Sequence, residues 1–357
     1  MTPHEDVDRV ESLADAGRVV EAVDLLAAIN ARGRNPASEI RLLDLRARAA
    51  ACPAGVGRSP WPPVYPDPFP ALDGRIPEVD AEQLTTDTLA GAVSHHGCLI
   101  VRGVFSEAHA ADLVDVIERA QRSREQAEAQ TEAGVETGGD DDAATAWYRP
   151  FVGDEVARDD ARTMSARRVK TLRKQVVNGG GMWLADSPAA TARVIDGLAA
   201  TNVIESVRGH FGERPFFSLQ KSTLRRVAPV HKYTSWHQDG SFLDPAVRSM
   251  NLWLSFSHCG GNQPTPALEV VPKRVPDILP VDNVMANYAI SFDLVREIAS
   301  DAPTVVPEFA PGDALMFDER FVHRTHLTQT MTRTRYALEC WMFAPSHQSP
   351  NYTPLLI

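Results

Sequence analysis

Six short runs between residues 216 and 343 limit what this chain can fold into. They are Phe216–Val227, Trp236–Leu243, Asn251–His258, Leu268–Pro272, Ala314–Asp318 and Tyr336–Phe343. Several alternate with period two: Leu252, Leu254 and Phe256 fall on one side of an extended chain, and Asn251, Trp253 and Ser255 on the other. Successive side chains of a strand point to opposite faces, so such a run buries two different faces against two different neighbours. Glycine, proline and polar turns separate the runs. This pattern predicts a two-sheet sandwich or jelly roll. Helical segments precede it, with a smaller insertion near residues 289–299, so the expected class is α+β.

Upstream, residues 5–50 predict two helices packed as a hairpin. Val10, Leu13, Val19, Val20, Val23, Leu25 and Leu26 supply an apolar face broken near Gly17, and a second run from Ser38 to Ala50 carries Ile40, Leu42, Leu43 and Leu45. The stretch Ala16-Gly-Arg-Val-Val-Glu-Ala22 is similar to the first helix of a tetratricopeptide repeat. One copy cannot build a solenoid, which needs about three, so a helical cap on the main domain is the simpler expectation. Pro53, Pro60, Pro62, Pro63, Pro66, Pro68 and Pro70 forbid helix and mark a linker. The expected domains are therefore a hairpin at 1–51, a linker at 52–75 and a main domain at 76–357.

Within the main domain, a helix is expected at Asp87–His95 and a buried strand at Cys98–Phe105, and Ser106 can cap the long helix that follows. Residues 122–175 read as a mobile insertion. Their first part is rich in Glu, Gln, Ala and Gly and holds Asp140-Asp141-Asp142. Arg162, Arg167, Arg168, Lys170, Arg173 and Lys174 follow, either as a solvated helix face or as a clamp for an anion. Gly179-Gly180-Gly181, beside Met182-Trp183, offers a hinge for a lid.

The net charge of −11 argues against a general nucleic-acid binder and against attraction to an anionic membrane. The opening residues lack the basic-then-apolar layout of a secretory leader. Cys52, Cys98, Cys259 and Cys340 form no C-x-x-C pair, so they read as free thiols rather than a zinc or redox site. A cytoplasmic location is expected.

The chemistry is carried by His237-Gln238-Asp239. On a strand, positions i and i+2 share a face, so His237 and Asp239 can reach one ion. Two imidazoles and a carboxylate cap one face of an octahedral Fe(II) and leave the opposite face open to small ligands. His4-Glu5-Asp6 also fits the triplet but lies in a polar terminal segment with no strand pattern. The third ligand must come from downstream. His323 follows a Gly312-Asp313 turn and an apolar strand; His326, His231 and His258 are the competitors.

The segments 216–258 and 308–345 resemble the phytanoyl-CoA dioxygenase family of Fe(II)/2-oxoglutarate oxygenases, which includes ectoine hydroxylases. The matching pieces are Trp236-His-Gln-Asp-Gly240, Asn251-Leu-Trp-Leu-Ser-Phe256, Leu268-Glu-Val-Val-Pro272, Gly312-Asp-Ala-Leu-Met-Phe-Asp318, and His323 through Arg335-Tyr-Ala-Leu338. Cys98–Phe105 is similar to the family's N-terminal strand. Asp313 and His323 keep the family interval, which favours His323 over His326. The resemblance implies a double-stranded β-helix of cupin type. It implies Fe(II) on His237, Asp239 and His323, with O2 and 2-oxoglutarate as cosubstrates. It also implies that Arg335 grips the distal carboxylate of 2-oxoglutarate, with Arg333 as rival, and that Thr325, Trp253 and Gln220 line the same pocket.

The implied activity is hydroxylation of an unactivated C–H bond of a small molecule, with release of succinate and CO2. Desaturation, epoxidation or cyclisation on the same core is the alternative, and a non-catalytic jelly-roll binding protein or a cupin metalloenzyme without 2-oxoglutarate a more distant one. Asp239 argues against halogenation, because related halogenases lack this carboxylate. The family's Pro-Gly-Ser-His turn is replaced by Pro272-Lys273-Arg274, and the loop before it by Asn262-Gln-Pro-Thr-Pro-Ala267. The family's substrates therefore do not carry over. Lys221, Gln238, Arg248 and Trp183 are the substrate-contact candidates, and Arg225, Trp147 and Tyr148 are further pocket or lid candidates. A secondary metabolite, an amino-acid-like or a carrier-bound anionic molecule suits the local basic groups, with the protein a monomer or homodimer.

Overall fold

The structure, a computed structural model, describes residues 3–51, 63–72, 74–134, 142–151, 166–229, 235–243, 247–281, 288–348 and 352–357. Three helices come first: α1 (Pro3–Asp15), α2 (Val19–Arg32) and α3 (Pro36–Ala51). This differs from the expected hairpin. Gly17 adopts φ +76°, a conformation that glycine tolerates and that ends α1. Asn35 then caps α3, its side-chain oxygen accepting from the Ala37 amide at 2.9 Å. The three helices share a core with Phe216 and Leu356, and Arg46 donates to the Leu356 carbonyl at 2.9 Å. They are thus fastened to the sheet behind them.

The strands are β1 (Glu78–Asp80), β2 (Cys98–Arg102), β3 (Gly181–Trp183), β4 (Phe216–Ser218), β5 (Thr223–Val227), β6 (Ser249–Ser255), β7 (Ala267–Val270), β8 (Ala314–Phe317), β9 (His323–His326), β10 (Arg335–Phe343) and β11 (Pro354–Leu356). A large mixed sheet runs β1-β2-β8-β6-β10, and β10 then pairs with β4 and with β5, which carry β11 and β3. A smaller sheet pairs β7 with β9 and is widened by bridges at His237–His323 and Val270–Val305. The remaining helices are α4 (Thr86–His96), α5 (Glu107–Glu132), α6 (Asp142–Thr145), α7 (Ala166–Asn178), α8 (Pro188–Ala199), α9 (Val203–Phe211) and α10 (Phe292–Ile298).

The period-two pattern sorts the residues as expected. Leu252, Leu254 and Phe256 join Leu99, Met316, Leu338 and Met342 under the helices, in one core with Leu89, Ile117, Val194 and Val207. Trp253 faces the other way, with Ile100, Leu315, Phe317 and Ala337, against Leu268 and Val270 of the smaller sheet and Phe309 and Phe321 beside it. The space between the sheets is therefore the second core.

Several local expectations need correction. Ser106 caps α5 as read, its oxygen accepting from the His109 amide, but α5 continues to Glu132 through the first part of the segment read as mobile. Residues 135–141 and 152–165 of that segment lie outside the described residues, as do 52–62 of the proline-rich linker. Phe216–Val227 is two strands, not one. Trp236–Leu243 is not a strand: a single bridge at His237 gives way to a 3-10 turn at Asp239–Phe242. The cause is the tight seat of Gly240, whose amide donates to the Glu319 carbonyl at 2.7 Å and where a Cβ would fall 2.9 Å from that oxygen. Gly179–Gly181 turns α7 into β3.

Candidate metal centre

His237, Asp239 and His323 converge between the sheets, their ligand atoms all within 4.8 Å of one another. His237 Nε2 lies 3.7 Å and His323 Nε2 4.0 Å from Asp239 Oδ1. The backbone sets this geometry. The amides and carbonyls of His237 and His323 exchange two hydrogen bonds, at 3.0 and 3.1 Å, which holds the imidazoles side by side. Asp239 then turns inward at the start of its 3-10 turn. His237 and Asp239 thus share one centre although the extended backbone ends at Gln238 and Asp239 opens a 3-10 turn.

Each imidazole is fixed by its other nitrogen. His237 Nδ1 is 2.9 Å from the Ser235 carbonyl, and His323 Nδ1 is 3.0 Å from the Phe321 carbonyl. A carbonyl only accepts, so each Nδ1 carries the proton and each Nε2 lone pair points to the centre. Asp239 Oδ2 accepts from Asn251 Nδ2 at 3.1 Å, leaving Oδ1 for the centre. Burial depresses His237 to about 4, and its His323 neighbour adds to this. Burial raises Asp239 to about 6, against the pull of His237 and Lys221. At neutral pH the imidazoles are neutral and the carboxylate charged, the donor states a divalent cation requires.

The competing histidines are elsewhere. His326 Nδ1 is 3.3 Å from Glu269, His258 is exposed, and His231 lies outside the described residues. Arg333 is exposed, whereas Arg335 is only 2% exposed, with its guanidinium carbon 5.5 Å from the ring of Trp253. One Arg335 nitrogen donates to the Ala267 carbonyl at 3.1 Å. Its Nε, and Nε1 of Trp253, are buried with no hydrogen-bond partner among the described residues. Unpaired buried donors are costly, so two of them on one inner surface mark a place prepared for an acceptor. This fits a carboxylate. Thr325 lies opposite Leu268 of the interior core, two residues past His323.

Other candidates meet different fates. Gln238 is fully buried, but it is a staple: its nitrogen donates to the Asp277 and Arg320 carbonyls and its oxygen accepts from the Leu279 amide. Both of its N–H donors are taken by these loop carbonyls. Gln220 is likewise tied at both ends to Thr353, at 2.9 and 2.8 Å, and not to the pocket. Arg248 lies near Glu213, its backbone paired with Ala344 and His347. Trp147 is held between Arg119 and Arg193, at 4.2 and 4.8 Å, and Tyr148 packs against the helical core.

Trp183 and Lys221 stay near the interior. Trp183 is buried beneath Arg173 at 4.6 Å, and its indole nitrogen has no partner among the described residues. Arg173 itself pairs with buried Asp186, at 2.9 Å, rather than standing ready as a clamp. The Lys221 ammonium lies 4.9 Å from Trp341 and 5.5 Å from Tyr352, and burial lowers it to about 8 although Asp239 and Glu339 attract it. Asn251 and Glu339 were not singled out from the sequence. Both sit at inward positions of the alternating strands, which is the one signal that marks them.

No family model matches the chain, and no curated protein does. Solved structures with a similar chain path include EctD from S. alaskensis with 2-oxoglutarate and 5-hydroxyectoine, at 14% identity and a TM-score of 0.48, covering 80% of this chain and 85% of that one. EvdO2 from Micromonospora carbonacea var. aurantiaca, complexed with 2-oxoglutarate, gives 16%, 0.41, 74% and 90%. SnoK, a non-heme alpha ketoglutarate dependent carbocyclase from nogalamycin biosynthesis, gives 14%, 0.41, 74% and 86%. These likenesses are weak, and the centre stands on its own geometry.

Proposed function

We propose that this chain is an Fe(II)- and 2-oxoglutarate-dependent dioxygenase. In this reading it is built on a jelly-roll core within residues 76–357 and hydroxylates a small molecule with release of succinate and CO2. The observation that carries the reading is the joint geometry of His237, Asp239 and His323, two oriented Nε2 lone pairs and one carboxylate oxygen, with a buried Arg335 on the same inner surface.

Fe(II) and 2-oxoglutarate, when bound, supply the activation of O2, which side chains alone cannot perform. The chain's own residues position and shield. His237 and His323 present neutral Nε2 donors because the Ser235 and Phe321 carbonyls hold their protons on Nδ1. Asn251 fixes the rotation of Asp239. Arg335, planar and permanently charged, orients a carboxylate by its two-pronged donor geometry. Trp253 and Phe309, at 5.0 Å between ring centroids, wall off that end of the interior from water. Lys221, whose charge acts on Asp239, is the residue we assign to substrate contact, with Trp183 as a second candidate, and an anionic or carrier-bound molecule suits the lysine.

The test is succinate release from Fe(II), 2-oxoglutarate and a metabolite panel. Wild-type protein is expected to form succinate, and His237→Ala none above background. Equal turnover by His237→Ala contradicts the assignment.

A further inference from the structure

The interior holds a second carboxylate that the proposed chemistry does not use. Glu339 lies on β10 four residues past Arg335, on the same face, directly across from Trp253 on β6 and Thr223 on β5. Arg335 reaches back toward that level, over the ring of Trp253. The charge of Glu339 acts on His237, Asp239 and His323 at one side and on Arg335 at the other. Asn251, which holds Asp239, pairs with Trp341, so along the inner face of β10 Glu339 falls between the level of the metal ligands and Arg335. Glu339 lies deep in the protein, yet 21% of its side chain is open. That combination belongs to the wall of an internal chamber rather than to a packed core.

An uncompensated carboxylate in that wall would repel a doubly negative cosubstrate. Arg225 answers it. One of its terminal nitrogens donates to Glu339 Oε2 at 2.7 Å, and Thr223 Oγ1 donates to the same oxygen at 3.0 Å. Burial pushes Glu339 up, but Arg225 foremost, with Arg335 and Thr223, together hold the carboxylate below its usual range. Register places Arg225 opposite Ala337 on one side and Gly181 on the other. A Cβ at Gly181 would come within 2.9 Å of the guanidinium, so the small neighbours leave room for it on the inner face.

We infer that Arg225 is a positioning residue for the cosubstrate: by neutralising Glu339, it permits a dianion to lie between the metal ligands and Arg335. This rests on the 2-oxoglutarate reading above. The rival role is direct contact, because Arg225 Nε has no hydrogen-bond partner among the described residues. A double substitution separates the two. If Arg225 acts through Glu339, removing both charges restores binding; if it touches the cosubstrate, it does not.

The experiment is calorimetric titration of 2-oxoglutarate into the full chain loaded with Co(II). Arg225→Met is expected to raise the dissociation constant on the order of ten- to a hundredfold, the scale of a buried like-charge clash, with Co(II) binding retained. Glu339→Gln alone is expected to bind 2-oxoglutarate as well as wild type or more tightly. The double variant is expected to return to within about threefold of wild type, as coupled neighbours do when both charges are removed. Wild-type affinity in Arg225→Met overturns the inference. So does a double variant as weak as Arg225→Met, which assigns direct contact. If Arg225→Met does not fold, Glu339→Gln alone decides, and weakened binding there overturns it. Wild-type protein that binds Co(II) but not 2-oxoglutarate overturns the site assignment itself, and the inference falls with it.

Discussion

The two faces of β6 and β10 are made by alternate residues of the same strands, yet they obey different rules. Outward, Leu252, Leu254, Leu338, Cys340 and Met342 are buried against helices and carry no charge. Inward, Asn251, Trp253, Arg335, Glu339 and Trp341 line the space between the sheets, and three of them hold a buried polar atom without a hydrogen-bond partner among the described residues. Apolar burial of the first kind stabilises the fold at roughly 25 cal/mol per Å². Unpaired polar burial of the second kind costs about 1–3 kcal/mol per group. A fold keeps such a surface only when something else uses it. The outer face supports the inner one.

The comparison breaks most visibly on the outer face. Leu338→Ala removes a fully buried side chain from the larger core. It is expected to cost about 2–5 kcal/mol of stability, seen in denaturant unfolding, while the folded fraction binds a divalent metal as wild type does. Weaker metal binding by that folded fraction would mean that the faces are not separable. The inner face responds the other way. Asn251→Ala removes the hydrogen bond that orients Asp239. It is expected to weaken Co(II) binding about 10–100-fold, as loss of an outer-shell partner does, with a far smaller change in unfolding free energy than Leu338→Ala. Unchanged Co(II) affinity would show that Asp239 needs no such support.

The same contrast explains what could be read from the sequence. Period two assigned the faces of β6 correctly, because burial on both sides enforces it. His237 and Asp239 were legible as a pair, and His323 through its interval from Asp313. The strand β9 itself, His-Arg-Thr-His, was not, since it has almost no apolar content and is held by pairing with β7. Gln238 and Gln220 show the opposite failure. Their positions pointed to the pocket, but their amides are consumed by loop carbonyls and by Thr353. Spacing does not reveal which partner claims a side chain. Glu339 went unassigned for a related reason, because its meaning depends on Arg225, more than a hundred residues earlier in the chain. The third N-terminal helix was missed although the apolar face breaks near Gly17, because the one interruption separates two whole helices, Pro3–Asp15 and Val19–Arg32.

The central claim is that one interior site takes a divalent metal and then 2-oxoglutarate. Anaerobic titration of 2-oxoglutarate into the protein, with and without Fe(II), tests it most directly. The account predicts saturable binding that requires Fe(II), disappears in His237→Ala and weakens strongly in Arg335→Ala. Binding that is indifferent to Fe(II), or that survives both substitutions, would contradict it.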